Sequence, residues 1–190
     1  MTRLETGRSA GVALTDALES GACMRVRRIY DDLIGLDGFV AGVGRSWLLL
    51  ALVDEGIHLD GWSAVRVGDL AETVVSPRDE FVRSALELRG ELPLPPVPQV
   101  KLDGTRRLLH SLCEAPLITV MTERAGPFAC AIGRIVDVSQ RELLLCEIDP
   151  LAEWQQTPTR VDLASITRVD HGGSYEQALA LVAEARTRDR

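Results

Sequence analysis

Apolar positions along the chain fall into two periods, and the switches between them mark the elements. From Cys23 to Tyr30, Met24, Val26 and Tyr30 alternate with Arg25 and Arg27, the pattern of a half-buried strand. A helical spacing precedes it near Ala10 to Glu19, stopped by Gly21. Phe39 to Val43 and Trp47 to Val53 read as the next strands, joined by Gly44-Arg45-Ser46. Asp60-Gly61 has the composition of a two-residue hairpin turn, here between Ile57–Leu59 and Trp62–Val67. Leu70 to Val75 is the last strand of this half. A closing helix follows, with Ser76 as its N-cap and Pro77 at its first position.

Four prolines within positions 93 to 98 forbid both helix and ladder pairing, so 91–100 is expected to be an extended linker. The second half repeats the order. Asp103 is placed to cap a helix carrying Leu108, Leu109 and Leu112, ended by Pro116. Strands are expected at Leu117–Thr122, Phe128–Val138, Leu143–Ile148, Thr159–Leu163 and Thr167–Asp170. A capping box, Ser174 to Gln177, opens the last helix. Its apolar residues Tyr175, Ala178, Leu179 and Val182 share the spacing of one buried stripe, and the tail from Arg186 to Arg190 is expected to fray.

The two halves also match residue by residue. Gly38, Leu48-Leu49-Leu50 and Asp54 recur as Gly133, Leu143-Leu144-Leu145 and Asp149, each 95 positions on. The register then slips by one, so that Val65, Val67 and Leu70 answer to Val161, Leu163 and Ile166. In the closing helices Phe81, Ser84, Ala85 and Leu88 answer to Tyr175, Ala178, Leu179 and Val182. A period of this length is the size of a small domain, too long for a solenoid repeat. The expected organisation is a helix–barrel–helix unit over 1–90, a linker over 91–100 and a second unit over 101–190.

Ile132-Gly133-Arg134-Ile135, Leu143-Leu144-Leu145 and Ile166-Thr167-Arg168-Val169, with Asp137 near the tight loop, resemble the strand and loop motifs of Sm-like small barrels. The first half offers Val40–Val43 and Leu48–Leu50 in the same places. Asp37-Gly38-Phe39-Val40 and Tyr175-Glu-Gln-Ala-Leu also resemble segments of uncharacterised bacterial proteins. The resemblance implies a mainly β fold with flanking α-helices (α+β), built as two tandem Sm-like five-stranded small barrels related by internal duplication. It does not carry RNA binding with it. That family's RNA sites use an Asn in the first loop and an Arg-Gly pair in the second; here the loop reads Val138-Ser139-Gln140-Arg141, and Arg168 is followed by Val169.

Charge points the same way. The formal net charge is -7 over 190 residues. Residues 31–80 hold 10 acidic side chains against Arg45, Arg66 and Arg78. A negative surface opposes phosphate binding. The local exception is Arg25, Arg27 and Arg28, which together with Trp62 form the candidate interaction surface. The longest apolar run, Trp47 to Val53, is too short for a bilayer, no signal-peptide pattern opens the chain, and four cysteines lack metal or disulfide spacing. A cytoplasmic protein is the expectation.

Candidate chemistry is sparse. His110 and Cys113 stand three apart on one helix, with only Glu114 as a third ligand nearby. His58 and His171 are candidate general bases without a nucleophile or an orienting carboxylate at a telling spacing. Asp31-Asp32 and Asp54-Glu55 suit solvated turns better than cation sites, since neighbours on extended chain face opposite ways. Gly172-Gly173 before a helix suits a chain reversal better than an anion cradle, given Asp170 and Glu176 beside it. Trp47, Trp62 and Trp154 are candidates for core or subunit contacts. No cofactor, metal or catalytic residue is therefore assigned. The expectation is a non-catalytic binding or assembly protein whose partner is itself, as a homo-oligomer, or another protein, with an Sm-like RNA binder and a small hydrolase as alternatives.

Overall fold

The computed structural model describes residues 14–30, 35–123 and 130–188. A helix covers 14–20 (α1). Five strands follow: β1 Cys23–Arg28, β2 Leu36–Val43, β3 Trp47–Val53, β4 Leu59–Arg66 and β5 Leu70–Val75. The helices α2 Asp79–Arg89 and α3 Thr105–Ser111 flank the linker. The second set of strands is β6 Ile118–Met121, β7 Cys130–Val138, β8 Glu142–Glu147, β9 Thr159–Asp162 and β10 Arg168–His171, closed by α4 Ser174–Arg188. No helix among the described residues is long and apolar enough to cross a membrane.

The strands form one antiparallel sheet in the order β5-β1-β2-β3-β4-β10-β6-β7-β8-β9. This overturns the expectation of two closed five-stranded barrels. The edge of β4 that closure would use is hydrogen-bonded to β10 of the other half, with Val65 opposite Arg168, Ala64 opposite Val169 and Trp62 opposite His171. Each half therefore stays open at one end and is continued by the other. The largest core cluster also crosses the junction, joining Trp47, Leu49 and Ala64 to Leu108, Ile118, Leu143 and Ile166.

Within that sheet the geometry repeats at the spacing of 95 residues. The ladder between β2 and β3 slips between Val40 and Gly42, and the ladder between β7 and β8 slips between Ile135 and Asp137. A Cβ on Gly38 would stand 2.5 Å from the Ala51 carbonyl oxygen, and one on Gly133 would stand 2.2 Å from that of Cys146. Only glycine permits so close an approach of two backbones. Asp54 and Asp149 each open a tight reversal by accepting from the backbone amide four residues on, and Ile57 and Ala152 within those reversals have φ of 60° and 58°.

Several local expectations are corrected. Asp60-Gly61 is not a hairpin turn: β4 runs through it, and the chain reverses at 54–58 instead. Gly61 has φ +72°, and a Cβ there would stand 2.5 Å from the Gly173 amide nitrogen, so the position requires glycine; Asp60 Oδ1 accepts from the Ser174 amide at 2.6 Å, capping α4 from the other half. The buried stripe expected on the last helix is rotated, and Phe81 and Leu88, matched to it in the first closing helix, are 61% and 90% exposed as well, while Val82 and Leu86 are buried. On α4, Tyr175 and Val182 are exposed, while Glu176, Leu179 and Ala183 are buried. α2 begins at Asp79 rather than Pro77, and α4 continues to Arg188 where fraying was expected. The linker has no regular structure, yet Leu92 and Leu94 pack on the Phe39, Val82 and Leu86 cluster, so it lies against the fold. Residues 10–13 of the first expected helix, Asp31-Asp32, Phe128 and the tail from 189 lie outside the described residues.

Candidate functional site

Strand β1 carries the three arginines, and each meets a carboxylate. Arg25 donates from Nε and a terminal nitrogen to Asp37 at 2.8 and 2.7 Å, and Arg78 donates to the same carboxylate at 2.8 Å. Burial alone would push the Asp37 carboxyl up, but the two guanidiniums outweigh it and hold Asp37 below its ordinary range. The buried Cys23 thiol nearby is pushed up to about 12 by burial and by Asp37 and Asp79, which leaves it unreactive. Arg27 pairs with Glu72 at 2.9 Å on the surface. Beyond a bulge, Arg28 turns inward, 6% exposed, and reaches Glu123 at 2.7 Å. The three therefore make no common basic face. Trp62 is half-buried on β4 opposite His171 and packs on two core clusters, so it belongs to the junction between the halves.

That junction is the most chemically crowded part of the molecule. Glu123 receives Arg28 and the Thr167 hydroxyl; burial opposes its charge, and the hydroxyl, a backbone amide and Arg28 together hold its carboxyl below the ordinary range. Arg66 donates to the carbonyls of Ile166 at 2.8 Å and Leu163 at 3.1 Å, and its guanidinium lies 5.2 Å from the Trp47 ring centroid. Arg168 pairs with Asp170 at 2.7 Å and donates to the Ser63 hydroxyl at 3.0 Å. Thr119 donates to the buried carboxylate of Glu176. Each of these charged side chains meets an oppositely charged or polar partner. Sequence reading named Arg28 and Trp62 as site residues but not Arg66 and Arg168, which stand on strands β4 and β10, or Glu123, which lies two residues beyond β6.

His58 Nδ1 shares a hydrogen bond with Glu91 at 2.6 Å, and Glu91 also accepts from the Leu59 amide, which ties the linker to the 54–58 reversal. His171 is mostly buried, and burial pushes its pKa down, so it is neutral near pH 7. His110 is exposed while Cys113 points at the Leu109 carbonyl oxygen, 3.6 Å away. Among the described residues no group of three His, Cys, Asp or Glu side chains could hold a metal ion. Gly172-Gly173 reverses the chain into α4, and the Asp60 carboxylate occupies the amide there. Trp47 is core, and Trp154 lies under Arg134, 5.0 Å from its ring centroid.

What the fold leaves open is at the two ends of the sheet. Among the described residues, no strand pairs with the outer edge of β5 or of β9. Val74 and Val75 on β5 are exposed, as are Arg160 and Asp162 on β9. An apolar groove of about 600 Å³ lies between α1, α2 and the linker, lined by Leu18, Phe39, Leu92 and Leu94 with Arg83 and Glu87. No family model, no curated protein and no solved structure matches this chain.

Proposed function

We propose that this protein is a non-catalytic binding and assembly module that docks protein partners along its open sheet edges. The carrying observation is the pair of edges, β5 and β9, whose outward backbone groups meet no strand among the described residues. Such edges template pairing with another chain and are ordinarily covered or sharply blunted. The polar clusters support binding rather than bond-making: His58 is engaged by Glu91, and the junction groups pair with one another. The arginine pairings also favour protein over nucleic acid, since Arg25, Arg27 and Arg28 each already face a carboxylate. Capture from cell lysate on the immobilised chain tests this reading, with retained protein and nucleic acid both quantified. A protein retained by the parent and lost from an edge variant such as Thr73→Pro is the expected result. Nucleic acid as the only retained species would overturn it.

A further inference from the structure

The sheet already contains one joint between two equivalent units, and its outer edges are the same two surfaces left unused. β4 is the fourth strand of the first half and β10 the fifth of the second; β9 and β5 are the fourth strand of the second half and the fifth of the first. The phase of hydrogen bonding agrees. The Ser76 amide bonds to the Cys23 carbonyl, which turns the backbone groups of Thr73 and Val75 outward from β5. The Leu163 amide bonds to the Arg141 carbonyl, which turns those of Arg160 outward from β9. With the one-residue slip, the joined pair Ala64 and Val169 corresponds to Arg160 and Thr73, and Trp62 and His171 correspond to Pro158 and Val75.

A second surface carries the same message. On the first half, Ala41 and Leu49 face outward from their own sheet curve and are covered by the core cluster that includes α3. Their counterparts 95 residues on are Val136, which is 52% exposed, and Leu144, which is only partly buried. An apolar face that the internal joint covers is thus bare at the open end, next to the edge that lacks a strand.

We propose that the chain associates with copies of itself head to tail, β9 of one molecule adding to β5 of the next in the register of the internal β4–β10 joint; this rests on the assembly reading above. In that register Val75 meets Pro158, Val74 lies beside Val161, and the Pro158 carbonyl still accepts although the residue has no amide hydrogen. Glu72 and Arg160 keep their own partners Arg27 and Glu142 in this register. The counterpart of Arg66 is Asp162, which cannot donate to carbonyls, so this joint is weaker than the internal one. The contact is heterologous and therefore builds a ring or an open chain rather than a two-fold dimer.

Sedimentation velocity of the full chain from roughly 5 to 500 µM tests the proposal. The parent should show a mass that rises with concentration. Thr73→Pro blocks the β5 edge and Arg160→Pro the β9 edge, each at an outward amide that its own ladder does not use. Each variant alone should be monomeric with the parent's circular dichroism, and an equimolar mixture should stop at a dimer, because one open β5 and one open β9 remain. Val136→Glu, at an exposed position, should weaken parent association at least tenfold. Association that survives either proline variant overturns the proposal. A parent that stays monomeric yet retains a protein in the capture experiment overturns self-pairing alone, while one that retains nothing overturns the assembly reading as well.

Discussion

Leu49 and Leu144 are the central residues of two leucine triplets that stand 95 positions apart, yet Leu49 is fully buried and Leu144 is partly open to solvent. Their neighbours behave alike: Leu48 and Leu50 face a cluster with Leu14, Ala17 and Val40, and Leu143 and Leu145 face one with Leu108 and Leu109. The difference is confined to the outward face. In the first half that face packs against the second half; in the second half Val136 is exposed and Leu144 only partly buried. Burial of the central Leu of the triplet is therefore a property of what lies next door, and a continuous apolar run can serve a strand with two covered faces or with one.

The sharpest way to probe this comparison is to cut an ion pair at the junction and another at the open end. Arg28→Ala would leave Glu123 without its guanidinium in a buried setting and should cost about 3–5 kcal/mol in urea unfolding. Arg160→Ala, which removes the exposed pair with Glu142, should cost about 0–1 kcal/mol. Equal effects would mean that the junction is no more closed than the open end.

Truncating the leucines comes next. Leu49→Ala should cost about 2–5 kcal/mol, as for other fully buried leucines, and Leu144→Ala clearly less in the monomer. Thermal melts at low protein concentration read both, and matching losses would erase the distinction between the faces.

Acid should weaken the fold by a smaller, graded amount. The folded-state pKa values of Asp37 and Glu123 are depressed, so their stabilisation is present above the unfolded values, about 3.9 and 4.3, and is lost as pH falls through the lower folded ones. His171 is depressed by burial, so its contribution is complete above about 6.5 and declines below that as the unfolded chain takes up the proton. Urea midpoints should therefore begin to fall below about pH 6.5 and fall again near pH 4. Asp37→Asn should flatten the lower step, and His171→Gln the upper; a lower step unchanged in Asp37→Asn and Glu123→Gln would remove these groups from the account.

The smallest expected signal is with nucleic acid. Anisotropy of a mixed single-stranded RNA should stay flat at physiological salt, because the β1 arginines are matched by carboxylates. Saturable binding below about 1 µM, lost in Arg27→Ala, would reverse that conclusion.

The sequence by itself determined most of the strands. The alternation around Met24 and Val26, the leucine triplets, and Gly38 with Gly133 are set by local packing of a strand on its immediate neighbours, and the same spacing of 95 marks the bulges and the Asp54 and Asp149 reversals. Asp60-Gly61 misled because its turn composition answers a long-range need: the glycine admits Gly172-Gly173 and the aspartate caps α4. The stripe of the last helix misled because Tyr175 and Val182 are apolar without being covered. The basic cluster was legible only as charge, since the partners of Arg25 and Arg28 lie 12 and 95 residues away. Tertiary structure alone decided that the halves join edge to edge. Strand patterning fixes which face of a strand is buried, but an edge offers the same backbone groups to any partner, and only the three-dimensional meeting of β4 with β10 selects one.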